Sequence, residues 1–206
     1  MNSKSKHWDG VFLNNSDSKL GWYEKNASQT FKLLDLIPHY KDATIFLPGA
    51  GTSVLIDALL SIGAKLVLND ISNEALDRVK IRLGEIQRDI IWLHQDIASP
   101  IENLNEKVDI WIDRAVLHFL TDKDDICGYF ENVKSALKIG GYIIFAEFTH
   151  SGTKKCAGLP IHHYSLDDLS NNLGPSFTLK SHFDYTYHTP SGNPRLYIYA
   201  LYKRES

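Results

Sequence analysis

Two glycines separate an apolar run from a helical pattern in the stretch IFLPGAGTSVLIDALL, which spans residues 45–60. Glycine adopts positive φ without steric cost and lets the backbone approach another group closely. Gly49 and Gly51, with Ala50 between them, therefore predict a turn that lies against a bound ligand. The alternative is an ordinary strand-to-helix turn, which needs no ligand.

Acidic residues end the next two apolar runs. Asp70 closes KLVLND, about 20 residues after the glycines, where an acid can accept hydrogen bonds from two ribose hydroxyls. Asp96 closes IIWLHQD, one strand further out, where it can meet the polar edge of a base. The alternatives are a charge at a helix N-terminus for Asp70 and a solvated loop acid for Asp96.

The glycine pattern favours a nucleoside over a dinucleotide. The dinucleotide fingerprint is G-x-G-x-x-G, and its third glycine allows close packing of helix on strand around a pyrophosphate. Val54 stands at that third position in this chain. A ligand without phosphates fits better, and a nicotinamide-dependent oxidoreductase is disfavoured.

A charged pair interrupts the fourth apolar run in the stretch DRAVLHFL. Asp113 and Arg114 fall at the carboxyl end of that strand, so they can form an ion pair or face the ligand. His118 is a candidate base because the ordinary pKa of histidine lies near neutrality. Asp113 is the other catalytic candidate. The alternative for His118 is a hydrogen-bonded histidine packed beneath a lid.

Aromatic residues crowd the first 23 positions, and Trp8, Trp22 and Tyr23 are candidates for a lid over the ligand. The alternative is a segment that only packs on the sheet. His162 and His163 lack helical i,i+4 spacing and a third ligand, so no metal is expected there. The candidates for contact with a second substrate are Tyr23, His118, Phe119 and His163.

The bulk composition excludes several classes of protein. A net charge of −3 and a pI of about 6.3 argue against a nucleic-acid partner. No run approaches the eighteen apolar residues of a membrane span. The two cysteines, Cys127 and Cys156, suggest neither a disulfide framework nor a zinc site. A cytoplasmic location is the expectation.

Strand and helix signals alternate from about residue 43 to 149, which predicts five parallel strands with helices on both faces. One helix is expected over 27–37, and another is expected to end at Gly140-Gly141. The runs FTLKSHFDYTYH and RLYIYALYK predict an antiparallel hairpin. We expect a single domain over 1–206, divided into a lid segment (1–40), a ligand-binding core (41–150) and a substrate-side loop with the hairpin (151–206).

These motifs resemble the class I S-adenosylmethionine-dependent methyltransferases. The matching pieces are IFLPGAGTS, LVLNDIS, LHQDI and LKIGGYIIFAEF. The resemblance implies an α/β fold with a three-layer, Rossmann-like seven-stranded sheet, mostly parallel, in which one edge strand runs antiparallel. It implies S-adenosylmethionine as cofactor and S-adenosylhomocysteine as product. The cofactor-binding residues would be Trp22, Gly49, Ala50, Gly51, Asp70, Ile71, Asp96, Ile97, Asp113, Arg114 and Ala115.

The pieces HWDGVF, GWYEK, DRAVLHFL, KCAGLPIHHYS and TPSGNPRLYIY resemble the thiopurine methyltransferase type most closely. That subgroup implies a monomer or homodimer that methylates a small molecule, with a protein side chain as the other possible acceptor. The chain departs from the wider family at Leu47, where an acid two positions before the first glycine is usual. This loss makes a non-catalytic cofactor-binding module the alternative function.

Overall fold

The computed structural model describes residues 3–149 and 153–206, and they form an α/β structure. The helices are α1 (Ser3–Asn14), α2 (Ser28–Leu34), α3 (Val54–Ser61), α4 (Asn73–Leu83), α5 (Lys123–Ala136) and α6 (Leu166–Leu173). The strands are β1 (Thr44–Leu47), β2 (Lys65–Asp70), β3 (Ile91–His94), β4 (Val108–Arg114), β5 (Leu137–Phe148), β6 (Lys155–Cys156), β7 (Leu159–Pro160), β8 (Phe177–His188) and β9 (Pro194–Arg204).

Seven strands form the main sheet in the order β3-β2-β1-β4-β5-β9-β8, while β6 and β7 pair separately. The first five strands are parallel, and β9 runs antiparallel to both of its neighbours, β5 and β8. The predicted seven-stranded, mostly parallel fold is therefore confirmed. The expectation of an antiparallel edge strand is wrong, because β9 is inserted between β5 and the edge strand β8.

Helices cover both faces of the sheet. Side chains alternate along β1, so Ile45 and Leu47 face one layer and Phe46 faces the other. The first layer receives α2 and α3, and the second receives α5 and α6. Phe46 stacks on Trp111 of β4 with ring centroids 4.1 Å apart, at the centre of the second layer. The parallel strands inside the sheet are thus mostly buried on both faces, which explains their continuous apolar runs, whereas the edge strand β3 is partly exposed.

Capping side chains stabilise the N-termini of three helices, α3, α4 and α5. Ser53 accepts a hydrogen bond from the N–H of Leu55, and Ser72 accepts one from the N–H of Ala75. Asp122 caps α5 in the same way. Each cap satisfies a backbone donor that the first helical turn leaves unpaired.

The end of α5 differs from the prediction. The helix stops at Ala136, and Gly140-Gly141 lie inside β5. The register of β4 against β5 shifts between Val108 and Ile110, and a Cβ on Gly141 would come within 2.9 Å of the carbonyl oxygen of Asp109. The glycines therefore accommodate a strand irregularity rather than a helix terminus.

The N-terminal part holds two helices, α1 and α2, where one over 27–37 was expected. Only Ser5 and Phe12 of α1 are buried, so α1 lacks the apolar stripe that identifies a helix. The predicted boundary between residues 150 and 151 lies outside the described residues. No helix within 3–149 or 153–206 has the length and apolar character to cross a membrane.

Candidate functional site

A cavity of about 290 Å³ lies beyond the carboxyl ends of β1, β2 and β4, where the strand order reverses between β1 and β4. Open parallel sheets bind their ligands at this position. We call its strand-end wall the floor: Gly49, Ala50, Gly51, Asp70, Ile71, Asp96, Ile97, Arg114 and Ala115. We call its N-terminal wall the roof: Lys4, Trp8, Phe12, Trp22, Tyr23 and Glu24.

The structure brings together nearly all of the residues predicted to bind the cofactor. Every one of them except Asp113 lines the cavity, with Trp22 in the roof and the others in the floor. Of the candidates for contact with a second substrate, Tyr23 and Phe119 line it. His118 and His163 are not among the residues that line it.

The glycine turn is a point of close approach between segments. Gly49 and Gly51 have φ values of 47° and 52°, a region that favours glycine. A Cβ on Gly49 would lie 2.6 Å from Cγ2 of Val116, in the loop after β4, and one on Gly51 would lie 3.3 Å from the ring of Phe12 in the roof. Glycine is required here so that the β4 loop and α1 can close against the turn.

Asp70 ties the glycine turn to the start of α4. Its Oδ2 accepts a hydrogen bond from the N–H of Gly51, and its Oδ1 accepts one from the N–H of Ser72, both at 2.8 Å. Burial raises the pKa of Asp70 to about 6, although these backbone N–H groups favour the ionised form. Each carboxylate oxygen retains a second lone pair, so Asp70 can hold this geometry and still accept from a ligand hydroxyl.

Asp96 lies at the outer end of the floor. Its Oδ1 accepts a hydrogen bond from the N–H of Ala98 at 3.0 Å, and its Oδ2 is 3.9 Å from Nζ of Lys4 in the roof. Lys4 also binds Asp125 at 2.5 Å. The start of α1 is thus held electrostatically above Asp96.

Arg114 connects the floor to the roof. Its Nη1 donates to the carbonyl of Trp22 at 2.8 Å, and its Nη2 lies 2.9 Å from Oε1 of Glu24. The guanidinium also lies over the rings of Tyr187 and Tyr197, 5.5 and 5.7 Å from their centroids. Burial alone would lower the pKa of Arg114, but the charge of Glu24, its hydrogen bond to Arg114 and the nearby Tyr197 and Tyr199 together outweigh burial and raise that pKa.

The roof presents several aromatic rings to the cavity. Trp8 contacts Trp22 and Phe119 edge to face, with ring centroids 5.7 and 4.8 Å apart. The hydroxyl of Tyr187 donates to the carbonyl of Tyr23 and so ties the roof to β8. Ring faces attract cations, so this wall suits a positively charged ligand group.

Asp113 supports the floor from outside the cavity. Its oxygens accept hydrogen bonds from the N–H groups of Val116 and Leu117 and from the hydroxyl of Tyr129. This arrangement holds the turn in which Ala115 has a φ of 68°, a conformation that costs a non-glycine residue about 1–3 kcal/mol. Burial, with the nearby carboxyl of Glu147, raises the pKa of Asp113.

His118 is fully buried next to Glu147. Its Nδ1 lies 2.7 Å from Oε2 of Glu147, and its ring contacts Phe119 and Phe148. Burial lowers the pKa of His118 to about 3, so the ring is neutral at physiological pH. These contacts match the alternative of a packed, hydrogen-bonded histidine. Its role as a base stays a prediction.

His163 lies in the segment between β7 and α6, with its Nε2 2.8 Å from the carbonyl oxygen of Thr153. No group of three or more His, Cys, Asp or Glu side chains within residues 3–149 and 153–206 is arranged to hold a metal ion. The cavity residues that sequence reasoning missed include Lys4, Phe12 and Glu24. Glu24 stood in the motif GWYEK, but its importance depends on a contact with Arg114 that the sequence does not reveal.

A profile of the nodulation protein S family matches residues 23–156, more than half of the chain. Nodulation protein S of Azorhizobium caulinodans is 29% identical over 97 residues, which are 47% of this chain and 45% of that protein. The match thus spans less than half the length of this curated relative.

Several solved structures share the fold. N-methyltransferase NodS from Bradyrhizobium japonicum WM9, in complex with S-adenosylhomocysteine, is 15% identical with a TM-score of 0.74, covering 100% of both chains. An S-adenosylmethionine-dependent methyltransferase from Anabaena variabilis is 13% identical with a TM-score of 0.79, covering 99% of this chain and 96% of that one. The 1,6-didemethyltoxoflavin-N1-methyltransferase of Burkholderia thailandensis is 16% identical with a TM-score of 0.68, covering 98% of this chain and 85% of that one.

Proposed function

This chain belongs to the nodulation protein S family, and on that basis we propose that it transfers a methyl group from S-adenosylmethionine to a small-molecule acceptor. The cofactor is S-adenosylmethionine, and the product left after transfer is S-adenosylhomocysteine. The observation that carries the proposal is the cavity at the strand switch point, which gathers the glycine turn, Asp70, Asp96 and Arg114.

Different floor residues contact different parts of the cofactor in this proposal. Asp70 accepts from the ribose hydroxyls, and Asp96 faces the polar edge of the adenine. Ile71 and Ile97 lie beside these acids. Gly49 to Gly51, with Arg114, Ala115 and Trp22, border the methionine end. Residues 1–40 then act as the lid, 41–150 as the cofactor-binding core and 151–206 as the substrate side of one domain.

The chemistry depends on alignment. When bound, S-adenosylmethionine supplies a methyl group on a positively charged sulfur. The floor residues would hold the methionine end of the cofactor, and the aromatic roof would exclude water from it. Holding two reactants in line contributes roughly 7–11 kcal/mol of barrier reduction. No dedicated base is required for a neutral amine or a thiolate acceptor, which agrees with a buried His118 of lowered pKa.

We take a nitrogen atom as the acceptor. The support is that the structurally similar proteins from Bradyrhizobium japonicum and Burkholderia thailandensis are both N-methyltransferases. We place the acceptor beside Phe119, Leu159 and Pro160, three residues that line the cavity outside the floor and the roof. The thiopurine methyltransferase type stays a prediction.

Two measurements test the proposal. Calorimetry with S-adenosylmethionine, S-adenosylhomocysteine and NADH should give micromolar or tighter binding of the first two, about −8 kcal/mol or better, and none of NADH. A methyl-transfer screen over small amines, thiols and carboxylic acids, with a protein extract as a further acceptor, should show transfer to an amine. Binding without any transfer would favour the non-catalytic module, and absence of binding would refute the cofactor.

A further inference from the structure

Leu47 leaves the end of β1 without a carboxylate. Its side chain is 3% exposed and packs in the core layer that α2 and α3 cover. It also lines the cavity. The methionine end of the cofactor carries an ammonium group, and an apolar side chain offers that group no hydrogen-bond acceptor.

Strand register shows where a replacement acid must lie. Ile45 of β1 pairs with Ile110 of β4, so the alternating side chains of β4 put Arg114 on the same face as Leu47. Leu47 pairs with Leu68, which puts Asp70 on that face from the other side. The ribose-binding position and Arg114 therefore flank the end of β1, and the methionine end belongs on the Arg114 side.

Glu24 is the carboxylate that Arg114 holds at this place. Both side chains are nearly buried, with exposures of 10% for Arg114 and 13% for Glu24, and both line the cavity. Arg114 contacts Oε1 of Glu24, while Oε2 of Glu24 has no hydrogen-bond partner in the described parts of the chain. Asp17, another acid of the N-terminal part, is instead paired with Arg78.

We propose that Glu24 replaces the missing acid of β1 and binds the ammonium group at the methionine end of the cofactor. Arg114 is the positioning residue, because it fixes both the Glu24 carboxylate and the Trp22 carbonyl. The inference rests on the proposed function, since it concerns the same cofactor. Cofactor recognition is then shared between the sheet and the roof.

The experiment compares S-adenosylhomocysteine with its deamino analogue, in which hydrogen replaces the ammonium group. Calorimetry on Glu24→Gln should show the affinity for S-adenosylhomocysteine weakened by about tenfold or more, because a charged hydrogen bond is lost. Affinity for the deamino analogue should not change. Glutamine keeps the size of glutamate and can accept from Arg114, so the roof remains attached. Glu24→Asp keeps the charge and should retain part of the preference for the ammonium.

The control is Asp17→Asn, which weakens a different acid–arginine contact of the N-terminal part. It should leave the ratio of the two affinities unchanged. If Glu24→Gln weakened the affinity for both ligands equally, or for neither, Glu24 would only fasten the roof and the inference would be overturned. Failure of the parent protein to bind S-adenosylhomocysteine would instead contradict the proposed function itself.

Discussion

The floor and the roof of the cavity are built from different kinds of contact. The floor rests on hydrogen bonds between groups at neighbouring strand ends, such as the one that the N–H of Gly51 donates to the carboxylate of Asp70, 19 positions away. The roof is held by a few side chains whose partners are distant, 92 positions for Arg114 with Trp22 and 164 for Tyr187 with Tyr23. The floor therefore forms with the sheet, whereas the roof depends on its own side-chain contacts, both these polar ones and the packing of Phe12 and Leu20 on Ala75 of α4, and can be loosened separately.

The most severe test of this difference is Arg114→Met. The variant removes one partner of a nearly buried ion pair and leaves Glu24 charged beside a methionine. Loss of one partner of such a pair costs about 3–5 kcal/mol. We expect urea denaturation to show a loss in this range, and hydrogen exchange to increase over residues 20–26 more than in β1 or β4.

Arg78→Met provides the control. Arg78 joins Asp17 to α4 at a more exposed position, with 29% of its side chain accessible. Exposed ion pairs contribute less than about 1 kcal/mol, so stability should hardly change. If the two variants lost equal stability, the inference that the contacts of Arg114 hold the roof to the floor would be refuted.

A pH series tests the floor through Asp70. The folded-state pKa of about 6 lies above the unfolded value of about 3.9. The contribution of Asp70 to stability is therefore fully present below about pH 4 and is lost as the pH rises through 6. Relative to Asp70→Asn, which does not titrate, the parent should lose up to about 3 kcal/mol over that window.

The measurement is denaturant unfolding of both proteins at several pH values from 4 to 7. A difference between them that is flat with pH would mean that the carboxyl of Asp70 is not desolvated as the structure indicates.

Asp70→Ala tests the floor at the level of the ligand. The variant removes the acceptor for the ribose hydroxyls together with the support of Gly51. A hydrogen bond to a charged group contributes roughly 1.5–3 kcal/mol, so affinity for S-adenosylhomocysteine should fall at least about tenfold. If Asp70→Asn and Asp70→Ala both bind as tightly as the parent, the carboxylate serves only the backbone of Gly51 and Ser72.

The smallest effect is expected for Tyr187→Phe on β8, which loosens the attachment of the roof. This change removes one hydrogen bond to the carbonyl of Tyr23, which contributes about 1 kcal/mol. Trypsin should cleave after the exposed Lys19 faster than in the parent, and saturating S-adenosylhomocysteine should slow the cleavage in both. Cleavage that the ligand leaves unchanged would mean that the roof does not close on the cofactor.

The sequence predicted the floor well because its signals are local. Gly49, Gly51, Asp70 and Asp96 stand at strand ends, and strand ends can be recognised from apolar runs alone. The parallel order of the strands then brings them together without further information. The same reasoning predicted the five parallel strands and the hairpin, and the family resemblance implied one seven-stranded sheet. Neither revealed the place of β9, because an alternating run does not show which neighbour it pairs with.

The roof was predicted only in part because its evidence is not local. The aromatic residues Trp22 and Tyr23 stood out, but α1 has no apolar stripe and was missed. Glu24 gains its importance from Arg114, and nothing in the sequence near Glu24 indicates that partner. Likewise, the stretch DRAVLHFL did not reveal that Asp113 and His118 would be buried outside the cavity while Arg114 and Phe119 line it.

The hydrogen bond between Tyr187 and Tyr23 can form only late in the synthesis of the chain. The ribosome makes Tyr23 early, and it must add 164 further positions before Tyr187 exists. At about 5–20 residues per second, this interval lasts roughly 8–33 s. The residues of β1 to β4 are made well before then, so there is a stage of synthesis at which the floor residues exist but the contact that ties the roof to β8 does not.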